Sequence, residues 1–285
     1  MISSGNATVY VSNLDAAIQF YTRQLGLKLT NRIGDRWATI DAGSSYWTSE
    51  GIAAGLTLGL RPSTTLGASA ATPQYPPPGT KGGVGFGFET YKRIDDVAAQ
   101  LKEREVRVTG DIITFEAGKV VAFTDLDGVP TYAWEFSEEM LEEVKGDPVP
   151  DALLSGGHAI VYVSDMDAAI RFYADTLGLK LTYRFESKFA TLEAGRNLLL
   201  ALHPKTPNTP DPGTKGSVTL GFVVDEPIDA VVSRLAQRGV RVTGRSESDR
   251  SVNIEDLDGN VITLWDADAF VAGGELAATA VANRR

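Results

Sequence analysis

Hydrophobic and polar positions along this chain alternate between two short periods. Val9-Tyr10-Val11 and Val161-Tyr162-Val163 are β-branched and aromatic, as strands prefer. Just beyond them apolar residues recur at Leu14, Ala17, Ile18, Tyr21 and Leu25, and again at Met166, Ala169, Ile170, Tyr173 and Leu177. That spacing is one face of an amphipathic helix. Ser12 and Ser164, with Asp15 and Asp167 three residues on, form a capping-box pattern that opens each helix. Gly26 and Gly178 close it. The pattern then predicts strands over 36–42, 56–60, 188–194 and 198–202. A second strand–helix pair starts at 83–88 and 218–224, with helices over 94–104 and 228–237, and each leads into further strands. The order β-α-β-β-β occurs four times.

The chain is a tandem duplication. Residues 9–32 and 161–184 are identical at 17 of 24 aligned positions. The match resumes in PGTKG (78–82 and 212–216), VRVTG (106–110 and 240–244) and DLDG (125–128 and 256–259). Between these matches the first repeat carries extra residues near 44–55, near 63–78 and, more briefly, near 112–119. The expected division is a first domain at 1–136, a linker at 137–155 with an acidic helix over 138–145, a second domain at 156–267, and an Ala/Gly-rich tail at 268–285. PGTKG lacks the phosphate-loop spacing and leads into a strand, so it reads as a turn that sets register. Lys81 and Lys215 within it are candidates to guard a site's mouth.

Composition narrows the function. The chain has 285 residues and no cysteine, which excludes disulfides, thiolate nucleophiles and Cys-ligated metal. A net charge of −10 makes nucleic acid and anionic membrane poor partners. No apolar run approaches the roughly 18 residues of a membrane span, and the first residues lack a signal-peptide pattern. The expectation is a cytoplasmic protein acting on a small molecule. Only two histidines occur, His158 and His203, so a metal site needs carboxylates beside them.

The opening strand, VSDMDAAIRFYADTLGLKL with its near-copy in the first repeat, and the DLDGN turn at 256–260 resemble the vicinal oxygen chelate superfamily of glyoxalases, bleomycin-resistance proteins and extradiol dioxygenases. The resemblance implies an α+β fold of tandem glyoxalase-like domains, each with two βαβββ modules forming a cupped mixed sheet. It also implies chemistry on the concave side, and a monomer that acts as a pseudo-dimer, or a homodimer. The family's metal enzymes draw ligands from set strand positions. Here the first-strand position falls on His158 and Asn6, the fifth-strand position on Thr219 and Gly85, and the last-strand position on Thr263 and Tyr132. A fourth-strand position used by some members falls near Leu199 and Thr57. One good ligand is insufficient for the family's divalent cation, so no metal cofactor is expected. The alternative is a Zn, Ni, Mn or Fe site in the second domain, assembled from His158, His203 and Glu193 or Glu186.

Strand alternation assigns the concave residues. Asn6, Thr8, Tyr10, His158, Ile160 and Tyr162 face the cup from the first strands. Gly85, Gly87 and Glu89 do so from the fifth strand of the first repeat, and Thr219, Gly221 and Val223 from its counterpart. The last strands add Tyr132, Trp134, Thr263 and Trp265, and the third strands add Trp37, Thr39 and Asp41 against Phe189, Thr191 and Glu193. The trailing acids Glu135 and Asp266 fall on the opposite face. Such an aromatic cup with few polar groups suits a small aromatic or heterocyclic molecule. The candidate ligand-binding set is His158, Tyr162, Thr219, Thr263, Trp265, Asn6, Tyr10, Tyr132 and Trp134. Two function classes compete. One is a metal-free binding protein, and the other is a metal-dependent lyase, isomerase or dioxygenase. Divergence of the first repeat places any active site in the second.

Overall fold

A computed structural model describes residues 2–45, 54–63, 76–143, 152–195, 197–246 and 250–267. The first module comprises β1 (Ile2–Val11), α1 (Leu14–Gln19), β2 (Lys28–Ile33), β3 (Trp37–Ser44) and β4 (Gly55–Pro62). The second comprises β5 (Val84–Thr90), α2 (Ile94–Glu103), β6 (Arg107–Val108), β7 (Ile113–Phe115), β8 (Gly118–Thr124) and β9 (Pro130–Phe136). A short helix α3 (Glu138–Glu143) precedes the third module of β10 (Gly157–Val163), α4 (Met166–Arg171), β11 (Lys180–Phe185), β12 (Phe189–Glu193) and β13 (Leu199–Pro204). The fourth holds β14 (Val218–Val224), α5 (Ile228–Gln237), β15 (Val242–Arg245), β16 (Ser251–Glu255) and β17 (Val261–Asp266). The fourfold module order stands, the second module carrying one strand more, β7. The cores of the two long insertions (46–53 and 64–75), residues 144–151 of the linker and the tail from 268 lie outside the described residues. Among the described residues no helix is long and apolar enough to cross a membrane.

The sheets do not follow the repeats. One sheet runs β15-β16-β17-β14-β1-β4-β3-β2 and joins the first module to the fourth. The other runs β11-β12-β13-β10-β5-β9-β8-β6, with β7 on β8, and joins the second module to the third. We call these the outer and the inner cup. Each takes one module from each repeat. Their seams are antiparallel: Asn6 opposes Gly221 and Thr8 opposes Thr219 in the outer cup. In the inner cup His158 opposes Gly87 and Ile160 opposes Gly85. An active site confined to the second repeat is therefore not what the chain builds.

The PGTKG turns make this exchange. They pass one another between the sheets, Gly83 N donating to Thr214 O at 2.7 Å and Ser217 N to Thr80 O at 2.9 Å. A Cβ on Gly82 would lie 2.4 Å from the Gly216 nitrogen, so glycine is what lets the backbones touch. Lys215 pairs with Glu255 at 3.7 Å, on the flank of β16.

Within a repeat, the helix and the DLDG turn bind one cup to the other. α1 packs on β3 and β4, while Asp125 precedes β9 of the other sheet. The caps are Asn13 and Asp165, one residue later than the sequence pattern places them, and they accept from Ala16 N at 3.0 Å and Ala168 N at 2.9 Å. Ser12 N and Ser164 N instead donate to Asp127 and Asp258. Each helix widens to a π turn at its end (Phe20–Gln24 and Phe172–Thr176) before Gly26 at φ +80° and Gly178 at φ +84°. Tyr21 and Tyr173 are buried there, and their hydroxyls donate to Asp125 at 3.0 Å and Asp256 at 2.8 Å. Asp125 also accepts from Asp127 N and Val129 N, so its buried oxygens are satisfied. Burial raises its carboxyl to about 6 and pushes Asp256 upward as well. Around these clasps one apolar cluster runs through both repeats, with Phe86, Phe88 and Phe123 among its largest fully buried members.

Candidate functional site

The two concave faces share an architecture and differ in content. In the outer cup the floor is covered. Gly59 lies under the Trp37 indole, where a Cβ would be 2.2 Å from the ring, and Gly221 lies under Trp265, where it would be 2.0 Å away. The two indoles meet edge to face at 6.3 Å and 80°. Thr8 donates to Asn6 Oδ1 at 2.8 Å, Trp37 Nε1 donates to Thr39 at 2.9 Å, and Thr263 donates to Asn253 at 2.9 Å. Asn6, Tyr10, Thr219, Thr263 and Trp265, five of the nine candidates, belong to this cup, and all but Trp265 are buried. Its polar groups answer one another, and its tryptophans fill it.

His158, Tyr162, Tyr132 and Trp134 belong to the inner cup, two from each repeat. β10 carries His158, Ile160 and Tyr162 on the concave side, while Ala159, Val161 and Val163 enter the core. His158 is the centre of a hydrogen-bonded chain. Its Nδ1 lies 3.2 Å from Glu89 Oε1, and its Nε2 lies 2.9 Å from the Tyr132 hydroxyl. Ser45 Oγ donates to the same Glu89 oxygen at 2.6 Å. Glu89 and Ser45 are fully buried, and His158 nearly so. The Glu89 oxygen that accepts from Ser45 accepts from His158 Nδ1 as well, which leaves Nε2 to accept from the Tyr132 hydroxyl. Tyr132 stands over Gly87, where a Cβ would lie 2.3 Å from its ring. Burial first, then the nearby Tyr162 and Glu89, hold its hydroxyl well above the usual phenol range.

Beside Tyr132 the floor opens. Among the described residues, a Cβ on Gly85 would meet nothing within 4 Å. Gly85 opposes Ile160, between the levels of Tyr132 and Tyr162. The wall beyond is aromatic. His203 pairs in register with Tyr162, its ring 6.3 Å from the tyrosine and 4.9 Å from Phe189. Phe189 in turn reaches His158 at 6.5 Å and Tyr183 at 6.2 Å. His203 shares the face of Leu199 and Ala201, opposite the core residues Leu200 and Leu202. Burial, then the nearby His158, lowers its pKa to about 3, so its ring is neutral at pH 7. Its Nε2 is buried and has no hydrogen-bond partner. At the other end Trp134 stacks on Phe115 at 5.7 Å, and its buried Nε1 is also without a partner. Phe115 comes from β7, inside the short insertion near 112–119, and supplies rim to the cup.

The donor set for a metal is thin. The four family positions of the inner cup hold His158, Gly85, Tyr132 and Leu199, and those of the outer cup hold Asn6, Thr219, Thr263 and Thr57. His158 spends both nitrogens on Glu89 and Tyr132. Glu193 lies near Lys180 at 3.9 Å, and Glu186 pairs with Lys188 on an exposed turn. The grouping of His158 and His203 with either acid does not form, and among the described residues no three His, Asp or Glu side chains gather as a metal-binding group.

A family model described as the Glyoxalase/Bleomycin resistance protein/Dioxygenase superfamily matches residues 4–135 and 156–264. The chain belongs to this superfamily. A curated relative, virulence protein STM3117 of Salmonella typhimurium, is 32% identical over 119 residues, covering 38% of this chain and 80% of that protein. Among solved structures, glyoxalase I from Zea mays matches over 94% of this chain and 95% of its own with a TM-score of 0.62. At 17% identity that likeness concerns the fold. It also agrees with a tandem α+β architecture of cupped mixed sheets.

Sequence reasoning placed Glu89 on the concave face but could not pair it with His158, because that contact requires modules from different repeats. Ser45 sits at the start of an insertion and carried no signal. Glu135 does face away from the cup, and it has a task there. Its Oε2 accepts from Ile94 N at 2.7 Å, capping α2 from a distant strand.

Proposed function

We propose that this glyoxalase-superfamily chain binds a small, flat aromatic or heterocyclic molecule in its inner cup, without a resident metal. The observation that carries this reading is the contrast of floors. The outer cup is filled by Trp37 and Trp265 over their glycines, whereas among the described residues nothing covers Gly85, on a cup face that also carries Tyr132, Tyr162 and His203. Aromatic walls with a few placed polar groups are the common composition of small-molecule sites. The residues at the family's metal positions do not fit a divalent cation, since a single imidazole with both nitrogens engaged stands among Gly, Leu and Tyr. The outer cup, on this reading, is scaffold that the duplication retained.

The test is a thermal-shift screen of planar aromatic compounds run with and without EDTA. Binding to the native state alone raises the melting temperature by mass action. Hits whose shifts survive EDTA and vanish in Gly85→Leu support the reading. An absence of hits, or hits that require added Zn, Ni, Mn or Fe, refutes it in favour of the metal enzyme.

A further inference from the structure

Resting on that reading, we propose that the inner cup selects ligands that donate a hydrogen bond, a neutral phenol, lactam or ring N–H, and that His203 Nε2 is the acceptor. Two observations on one wall lead here. The first is the unpartnered, buried Nε2 of His203 on the concave face, between Tyr162 and Phe189. The second is the open floor at Gly85. A buried polar atom without a partner is costly, and proteins keep few of them. A ligand over Gly85 that donates to Nε2 removes that cost on binding, and a ligand of equal shape without the donor leaves it in place.

The sign follows from the Nδ1–H tautomer, which belongs to this proposal and leaves the unpartnered Nε2 of His203 to accept. Of the polar groups beside this wall, Glu89, His158 and Tyr132 are committed to one another. Glu89 accepts from His158 Nδ1, and the Tyr132 hydroxyl donates to His158 Nε2. Tyr162, the remaining titratable neighbour, is also held protonated by burial. His203 is a weak base in this setting, so it receives a hydrogen bond without taking the proton. Among the described residues, none of the groups on this wall supplies a cation for an anionic ligand. The preference is therefore for a neutral donor rather than a phenolate or carboxylate.

The experiment uses two probes of matched shape, 7-hydroxycoumarin and 7-methoxycoumarin, titrated by fluorescence at a pH where the phenol is protonated. The hydroxy compound is expected to bind about tenfold more tightly, the worth of one satisfied buried acceptor. In His203→Phe, which keeps a ring and removes the nitrogen, the ratio falls to about twofold or less, and the ligand-free protein melts a few degrees higher because the orphan atom is gone. Equal binding of both probes by the parent protein overturns the donor preference and leaves the binding reading standing. Binding of neither probe overturns both. Selectivity that survives in His203→Phe reassigns the acceptor and overturns the role of His203. Should the variant not fold, nitrogen-15 spectra of the parent, which has only two histidines, decide the matter. The His203 Nε2 resonance moves with the hydroxy probe and stays with the methoxy probe, and a resonance that ignores both overturns the assignment.

Discussion

Replacing Gly85 with alanine tests whether the inner cup is open at its floor, and the expected answer has a definite sign. The glycine has an ordinary backbone conformation, and a Cβ there meets nothing within 4 Å. The substitution therefore carries no steric cost and removes the extra chain entropy of a strand glycine, worth about 0.5–1 kcal/mol in favour of the variant. Gly221, on the matching strand of the outer cup, is the control. Its Cβ would sit 2.0 Å from the Trp265 ring, so the indole must leave its place against Trp37. Overpacking of that kind costs about 1–3 kcal/mol. The two alanine variants are thus expected to differ by about 1.5–4 kcal/mol, with opposite signs relative to the parent. Urea unfolding followed by circular dichroism measures this directly, and equal slopes would confirm that only the native states differ. A Gly85→Ala variant as destabilised as Gly221→Ala would refute the claim that the inner floor is free.

Three further outcomes follow from the same structure. Glu89→Ala leaves His158 Nδ1 buried without its acceptor and is expected to cost about 3 kcal/mol, whereas Tyr132→Phe removes one neutral hydrogen bond and costs about 1 kcal/mol. The reverse order in denaturation midpoints would contradict the chain as described. Glu135→Ala uncaps α2 and is expected to cost about 1 kcal/mol while leaving ligand shifts in place, which thermal melts with and without a hit will show. The pH dependence of His203→Phe has a fixed sign. His203 titrates near 3 when folded and near 6.5 when unfolded, so the unfolded chain binds more protons between these values and stability falls as pH drops below about 6.5. Asp125, raised from 3.8 to about 6, has the opposite sign and loses stability as pH rises through that window. The variant removes only the first contribution, so its advantage over the parent grows between pH 7 and pH 5. A constant difference across that range would refute the assignment.

Local periodicity was enough to read the elements, because each module is a strand and an amphipathic helix with its own turn chemistry. The assignment of concave faces followed from alternation alone, and His158, Ile160 and Tyr162 stand apart from the core as that alternation requires. What alternation cannot show is which module sits beside which. The exchange of modules between repeats is decided where Gly82 and Gly216 pass each other, a contact between residues 134 positions apart that no local pattern encodes. The Ser45–Glu89–His158–Tyr132 chain depended on that exchange and was illegible for the same reason. The twin tryptophans were ambiguous in sequence because both repeats carry one at the same point. The floor beneath distinguishes the cups: Gly221 lies under Trp265 and its counterpart Gly87 under Tyr132, while Gly85, where the other repeat has Thr219, has no ring above it among the described residues. The DLDG aspartates looked like a family signature, and their work is to hold Tyr21 and Tyr173 and so clasp one cup to the other.

The central claim is that the inner cup, and not the outer, is the binding site. The most direct measurement is a nitrogen-15 and carbon-13 chemical-shift map of the protein titrated with an aromatic hit. Glycine amides make it clean, since the two floors differ at glycines. The account predicts shifts at Gly85, Tyr162, Phe189 and His203, with Gly59, Gly221 and Asn6 unmoved. Shifts centred on Gly59, Gly221 and Trp265 would contradict it.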